Sequence, residues 1–244
     1  MSPVVESRWL GRVTYDKGLK LQESLVNGHT SGDPKNQLLL LEHEPVYTMG
    51  RTRDDSSLRE ETTLPHPVHR TNRGGQATYH GPGQLVGYPV LDLSIFGRDL
   101  HEYLRFLEEV LILLLSRHGI AGARVEGKTG VWVGERKIAS LGVGVRKWIS
   151  MHGFAINICG DLSPFNHITP CGITGVTMTS LEAEGASNVS VESCAREVAE
   201  IFNELLVSGR EKILSGNQEL TEDTSAFCVQ EAPIKTTGEV GSNQ

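Results

Sequence analysis

The segment GVWVGERKIASLGVGVRKWISMHGFAINI (130–158) decides the fold class, because it contains several strand patterns in succession. Residues 130–133 and 136–145 flank the turn Gly134-Glu135, which predicts a β-hairpin. The alternation of side chains from Phe154 to Ile158 predicts a further strand. Strands that cluster instead of alternating with helices favour an α+β fold. We therefore expect a single domain with a mixed β-sheet flanked by helices.

Helical patterns lie on both sides of this segment. Apolar residues recur at three- and four-residue spacing from Asp99 to His118, and Gly119 supplies a stop signal. A second helix is predicted from Val191 to Val207, with Ser190 as its N-cap. Towards the N-terminus, strand-like sequence begins near Arg8, and QLLLL (37–41) predicts a buried strand.

The sequence divides into a body and a polar tail. We expect residues 1–209 to form one catalytic domain. Residues 210–244 contain three basic and six acidic residues among many Ser, Thr, Gln and Gly. Low hydrophobicity together with net charge predicts that this tail is disordered, because it buries too little apolar surface to offset the entropy of ordering.

Composition excludes several classes of function. The 244 residues carry 23 Lys+Arg against 30 Asp+Glu, a net charge of −7, which argues against a nucleic-acid-binding platform. The longest apolar run has six residues (110–115), so we expect no membrane span. Four cysteines without a C-x-x-C pair indicate reduced thiols, and the N-terminal residues lack a targeting pattern. We expect a cytoplasmic protein.

Three segments carry residues suited to chemistry. RGGQATYHGPGQLVG (73–87) has five glycines, which permit close approach to a ligand, although a surface turn explains them equally well. Lys137 lies in a strand pattern, where it points either into an enclosed site or to solvent. Cys171, between Pro170 and Gly172, is the best candidate nucleophile among the cysteines, although most loop cysteines are inert. Cys194 lies on an apolar helix face and indicates core packing.

Common catalytic and cofactor motifs are missing from the sequence. The glycine-rich segment matches neither the P-loop nor the dinucleotide-binding pattern, and H-E-x-x-H and G-x-S-x-G do not occur. His66 and His69 form an H-x-x-H pair between prolines, without a third ligand in the pattern, and we interpret them as structural. We therefore expect no metal and no cofactor.

Together, the chemical segments resemble one family, the lipoyl(octanoyl) transferases. The matching stretches are EHEPVYTMGR (42–51), RGGQATYHGPGQLVGYPVLDL (73–93), GVWVGERKIASLGV (130–143), MHGFAINI (151–158) and DLSPFNHITPCGITGVTMTSL (161–181). They occur in the family's order, and chance does not account for all five. The resemblance implies a fold related to the biotin and lipoate protein ligases.

The resemblance also implies a reaction and its residues. Octanoyl would pass from the thioester of octanoyl-acyl carrier protein to a lysine of lipoyl domains, in 2-oxoacid dehydrogenase complexes and the glycine cleavage H protein. Cys171 would accept the acyl group as a thioester, and Lys137 would lower the pKa of its thiol. The implied octanoyl-binding residues are Arg73, Gly74, Gly75, Gln76, Ala77, Thr78, Tyr79, His80, Ser140, Leu141, Gly142, Gly153, Phe154 and Ala155.

Residue chemistry fits this transfer. A free thiol is mostly protonated at neutral pH, and a nearby ammonium favours the reactive thiolate. Exchange of one thioester for another needs no ATP, and aminolysis by a lysine then runs downhill. Backbone N–H groups of Cys171-Gly172 and of the Gly74-Gly75 turn would hold the developing oxyanion. His80 and His152 are expected to shape the site rather than to act as bases.

Two alternatives stay open. An ATP-dependent lipoate or biotin ligase would share the fold and a strand lysine, but would need no cysteine nucleophile. A non-catalytic acyl-binding module would hold octanoyl groups without a covalent intermediate.

Overall fold

A computed structural model of the chain describes residues 5–32, 34–51, 56–58, 63–170 and 175–214, with side chains up to residue 209. These residues form three α-helices, α1 (Tyr15–Ser31), α2 (Leu100–Arg117) and α3 (Val191–Leu214). The strands are β1 (Glu6–Val13), β2 (Gln37–His43), β3 (Val46–Met49), β4 (Val68–Arg70), β5 (Thr78–His80), β6 (Gln84–Val90), β7 (Ala123–Val125), β8 (Lys128–Val133), β9 (Arg136–Arg146), β10 (Ile149–Asn157) and β11 (Thr177–Met178).

The strands form two sheets. The larger sheet has the order β1-β2-β6-β10-β9-β8-β7, and β11 pairs with β9. It is mixed, because β1 runs parallel to β2 and β11 parallel to β9, whereas the other neighbours are antiparallel. The smaller sheet has the order β4-β3-β5. The predicted α+β architecture with a mixed sheet is therefore confirmed.

Burial on both faces of the sheet explains the unbroken run of leucines in β2. Leu38 and Leu40 pack into the main core, which contains the apolar faces of α2 and α3. Leu39 and Leu41 pack on the opposite face, with side chains of α1 against them. Alternate residues of a strand point to opposite faces, so a central strand covered on both sides is apolar throughout.

The predicted helices lie where the sequence patterns put them. The Asp99 side chain accepts hydrogen bonds from the backbone of the first turn of α2, and the chain reverses at Gly119 with φ +72°. At α3, Ser190 Oγ accepts from the Ser193 N–H, as expected of an N-cap. Helix α3 runs beyond the predicted end to Leu214, because residues 208–214 contain no proline to stop it.

Part of the predicted tail lies inside this helix. Residues 210–214 continue α3 in place of starting a disordered segment, and residues 215–244 lie outside the described residues. Of the helices in the described ranges, none has both the length and the apolar character needed to cross a membrane.

Candidate active site

A narrow cleft with a cavity volume of about 40 Å³, partly open to solvent, lies where the glycine-rich segment meets the strand of Lys137. Its walls come from the glycine-rich segment after β4, the middle of β9 and the middle of β10. The residues that line it are Tyr15, Arg73, Gly75, Gln76, Thr78, His80, Val86, Tyr88, Ser140, Leu141, Gly142, His152, Gly153, Phe154 and Ala155.

The cleft brings together all but three of the residues that were expected to bind octanoyl. The exceptions are Gly74, Ala77 and Tyr79. Ala77 and Tyr79 are buried in a separate apolar cluster with Tyr47 and Phe165. Tyr79 belongs to the smaller sheet, because it lies in β5 and pairs with Tyr47 of β3. The binding role of Ala77 and Tyr79 stays a prediction without direct contact to the cleft.

Gly74 joins the glycine-rich segment to β9. Its N–H donates to the Val143 carbonyl at 2.8 Å. A side chain at Gly142 would approach Arg73 and the Gly74 carbonyl to 3.1 Å, so glycine at this position permits the close approach of the two segments. The Gly74 N–H is thereby used within the fold, which removes it from the expected pair of oxyanion donors.

Arg73 fixes the conformation of the loop in which it lies. Its guanidinium donates to the carbonyls of Gly74 and Gln76, and to the carbonyl and hydroxyl of Thr48 at 2.8 Å. Arg73 is 7% exposed. A buried, hydrogen-bonded cation therefore lies at the wall of the cleft and connects it to the smaller sheet.

Three buried histidines stay neutral around this cation. Burial lowers the pKa of His43 to about 4, and burial, together with repulsion from His43 once it is protonated, lowers the pKa of His80 to about 3. For His152, burial and the charges of Arg73 and Arg51 lower the pKa to about 3. His80 Nδ1 bonds to Gln84 Oε1 at 2.7 Å, and both ring nitrogens of His43 are also bonded. These contacts fit the expected shaping role of His80.

His152 is held in an unusual backbone conformation beside the cleft. Its φ is +57°, a left-handed value that costs energy for a histidine. The surroundings hold it there, because its N–H donates to Gln22 Oε1 at 2.6 Å and its Nε2 lies 2.6 Å from Asn72 Oδ1. Tyr88 meets the ring edge to face. Its lining position supports the shaping role expected of His152.

Lys137 is enclosed and does not face solvent. It is 1% exposed, its Nζ donates to the Thr129 carbonyl at 3.0 Å, and the same atom lies 5.4 Å from the Trp132 ring centre. Gly130, with φ +128°, makes room for it, since a Cβ at Gly130 would lie 2.7 Å from Lys137 Cε. As bounded by the described residues, the cleft is not lined by Lys137. Lys137 is therefore buried, and its place in an enclosed active site stays a prediction.

The segment that follows Cys171 in the sequence is attached to the strand of Lys137. Met178 in β11 is the Cα partner of Lys137, and the Thr179 N–H donates to the Lys137 carbonyl at 3.0 Å. Glu184 strengthens this attachment, because it accepts two bonds from Arg136 and one from the Thr179 hydroxyl.

Cys171 itself lies outside the described residues, together with residues 172–174. On either side of them, Pro170 and Met178 line one cleft of the surface. Of these two residues, Met178 lies in β11, which pairs with the strand of Lys137. The pairing of Cys171 with Lys137 stays a prediction that this arrangement supports.

Two other cysteines are described, and neither is activated. Burial, together with the charge of Glu197, raises the pKa of Cys194 to about 11, and the residue packs in the main core. Burial also raises the pKa of Cys159. Raised thiol pKa values disfavour the thiolate, so both residues behave as packing residues. The expected core position of Cys194 is confirmed.

Tyr15, Val86 and Tyr88 line the cleft but were not identified from the sequence. Tyr15 begins helix α1, for which no pattern was recognised. Val86 and Tyr88 lie in β6. The sequence pattern of a strand can indicate that a side chain is buried, but it does not show which cavity that side chain lines. Only the β-sheet pairing of β6 with β10 brings them to the cleft.

Gly87 offers a test of the cleft wall, because a Cβ there would lie 2.1 Å from the ring of Phe154. We expect Gly87→Ala to displace this ring, to lower the free energy of unfolding by about 1–3 kcal/mol, and to raise KM for a substrate that binds in this cleft. Urea unfolding and steady-state kinetics measure both effects. Gly209→Ala is the control, since nothing lies within 4 Å of that position, and we expect unchanged KM. Unchanged KM in Gly87→Ala would exclude Phe154 from substrate binding.

The sequence that forms this cleft is similar to that of known proteins. Residues 14–203 match the family described as Lipoyl protein ligase A/B catalytic domain. The octanoyltransferase of Geobacter sulfurreducens is 49% identical over 193 residues, which are 79% of this chain and 81% of that protein.

Solved structures share the fold at lower identity. Lipoate-protein ligase A bound with ATP superposes with a TM-score of 0.61 at 20% identity, over 85% of this chain and 94% of that one. Biotin protein ligase from Aquifex aeolicus, in complex with biotin and ATP, gives a TM-score of 0.52 at 14% identity, over 85% and 72%. These likenesses confirm the expected relation to the lipoate and biotin ligase fold.

The family match covers both β9, which carries Lys137, and the segments that build the cleft. Identity of nearly one half with curated octanoyltransferases confirms the expected enzyme class, an acyltransferase. This chain belongs to the octanoyltransferases of the lipoyl protein ligase A/B catalytic-domain family.

Proposed function

We propose that this protein transfers an octanoyl group from octanoyl-acyl carrier protein to a lysine of a lipoyl domain, through a thioester on Cys171. Acceptors of the proposed class are the lipoyl domains of 2-oxoacid dehydrogenase complexes and the glycine cleavage H protein. The observation that carries the proposal is the enclosed amine of Lys137, attached through β11 to the segment that follows Cys171.

The cleft supports an acyl substrate with a polar end. Val86, Leu141, Phe154 and Ala155 supply apolar wall, and burial of each methylene of an octanoyl chain contributes about 0.8 kcal/mol. Gln76 and Ser140 lie in the same lining and offer polar groups to the carbonyl end. Mostly apolar walls with a few polar groups are typical of small-molecule sites.

The proposed reaction has two balanced steps. The Cys171 thiolate attacks the donor carbonyl and forms a new carbon–sulfur bond. The carbon–sulfur bond of the donor breaks, and the departing phosphopantetheine thiolate takes up the proton that Lys137 received from the Cys171 thiol. The acceptor lysine amine then attacks the acyl-enzyme, a carbon–nitrogen bond forms, and the carbon–sulfur bond to Cys171 breaks. The proton lost by that amine passes to the departing thiolate, with the Lys137 amine as the intermediate base.

Intact-mass measurement tests the covalent step. On mixing with octanoyl-acyl carrier protein, we expect the protein to gain one octanoyl group that hydroxylamine removes. Cys171→Ser should abolish this adduct. Cys159→Ser is the matched control and should keep it, because burial raises the pKa of that thiol and the proposal gives it no role.

Other outcomes identify the alternatives. An adduct that survives in Cys171→Ser would contradict the proposed nucleophile. Full activity of Cys171→Ser with free octanoate and ATP would identify a ligase instead. Tight binding of the donor with neither adduct nor transfer would identify an acyl-binding module.

A further inference from the structure

One peptide bond near Lys137 is hydrogen bonded at both ends. The carbonyl of Thr129 accepts from Lys137 Nζ at 3.0 Å. The N–H of Gly130, which belongs to the same peptide unit, donates to Glu108 Oε1 at 3.1 Å. A single rigid, planar group therefore joins the carboxylate of Glu108 to the amine of Lys137.

Glu108 lies in helix α2 and is only 2% exposed, and hydrogen bonds fix the position of its carboxylate. Its other oxygen, Oε2, accepts from Arg105 Nη1 at 2.9 Å and from Arg124 Nε at 3.1 Å. A buried carboxylate is costly unless it is paired and hydrogen bonded. Here both oxygens have partners, so Oε1 stays directed at Gly130.

The sheet alone does not orient this peptide. Thr129 and Gly130 fall between the paired positions of β8, whose register is irregular between Val131 and Trp132. Gly130 has φ +128°, where glycine has wide freedom. The hydrogen bond from the Gly130 N–H to Glu108 therefore fixes the orientation of this peptide, as the regular bonds between strands do elsewhere in the sheet.

We propose that Glu108 is a positioning residue for Lys137, acting through the peptide bond between Thr129 and Gly130. Its carboxylate fixes that peptide so that the carbonyl holds Lys137 Nζ in place. Polarisation along the hydrogen-bonded chain strengthens both bonds. This inference rests on the proposed role of Lys137 toward Cys171.

Other charged groups surround Lys137, and the test must separate them from Glu108. They are Lys128 over Trp132, the Arg136–Glu184 ion pair on the neighbouring turn, and the Arg105, Glu109 and Arg124 group on the far side of Glu108. Glu109 is the matched control, because it also pairs with Arg124, at 2.7 Å, but its side chain is 40% exposed.

The test compares the pH dependence of Cys171 alkylation by iodoacetamide, along with kcat/KM for octanoyl transfer. We expect Glu108→Ala to raise the pH of half-maximal alkylation and to lower kcat/KM about tenfold, as loss of one hydrogen bond would. Glu108→Gln keeps one oxygen acceptor, which can serve either Gly130 or the two arginines but not both, so we expect a smaller shift than in Glu108→Ala. Glu109→Gln should change neither quantity.

A second variant covers a failure of Glu108→Ala to fold. Glu108→Asp keeps the charge near the two arginines, but its shorter side chain falls short of Gly130, and we expect the same upward shift. An unchanged alkylation midpoint in a folded Glu108→Ala or Glu108→Asp would overturn the inference.

A double-mutant cycle separates this inference from the proposed function. If Glu108 acts through Lys137, Glu108→Ala should leave the alkylation midpoint unaffected in a Lys137→Met background. An equal shift with and without Lys137 would overturn the inference and leave the Lys137–Cys171 pairing intact. No shift in Lys137→Met alone would overturn that pairing, and the inference with it.

Discussion

Octanoyl transfer is expected to slow by about 10²–10⁴-fold when Lys137 is replaced by methionine, the range typical of lost proton transfer in an active site. The fold should survive, because methionine fills a similar volume beside Trp132 and replaces a buried polar end by an apolar group. The variant lacks the amine but keeps the wall around it, so the remaining activity measures the contribution of binding and of backbone donors.

Single-turnover transfer and iodoacetamide labelling of Cys171 at pH 7 measure this effect. Lys128→Met is the matched control, because Lys128 Nζ lies 5.3 Å from the same Trp132 ring but the residue is exposed. We expect wild-type rates for the control. Equal labelling rates in Lys137→Met and wild type would contradict activation of Cys171 by Lys137, whatever happened to turnover.

The main elements of the fold could be predicted from the sequence where periodicity was strong. The hairpin after Gly130 and helix α2 follow from the alternation and the helical spacing of apolar residues. Helix α1 could not, because its sequence contains Gly18, which is unfavourable in a helix. A Cβ at Gly18 would lie 2.9 Å from the ring of His43, so a tertiary contact requires the residue that weakens the local signal.

The candidate site divides in the same way. Residues such as Arg73 and Ser140 can be identified from the sequence, because they lie in stretches that resemble a known family. Glu108 is not, since a single carboxylate on an apolar helix face gives no sign of its partner, and its contact with Gly130 exists only in three dimensions. Sequence spacing also places Lys137 and Cys171 34 residues apart, and only the pairing of β11 with β9 relates their segments.

The neutral histidines predict acid sensitivity of the fold. Burial lowers the pKa of His43 to about 4 and those of His80 and His152 to about 3, against 6.5 in an unfolded chain. Because the folded values lie below the unfolded one, the unfolded state binds more protons as the pH falls below about 6.5. Stability is therefore fully present above that pH and is lost progressively towards pH 4.

The loss is expected to be large. At pH 5 each histidine contributes a decrease of about 2 kcal/mol in the free energy of unfolding, or about 6 kcal/mol for the three together. Natural domains have only about 5–15 kcal/mol in total, so mild acid should bring this protein near its unfolding midpoint. The lowered pKa values of Asp161 and Glu184 act only at more acidic pH and do not produce this window.

Urea unfolding between pH 7.5 and 4.5 measures how the free energy of unfolding depends on pH. One variant tests whether the buried histidines cause this dependence. His152→Asn removes one of the three groups, and asparagine tolerates the left-handed φ of +57° at this position. We expect about one third of the pH dependence to disappear, whereas the exposed His101→Asn should keep all of it. A free energy of unfolding that stays constant from pH 7.5 to 5 would mean that the three rings accept protons inside the fold. A cluster of imidazolium groups would then surround the Arg73 cation, which the absence of any carboxylate in the described lining of the cleft makes unfavourable.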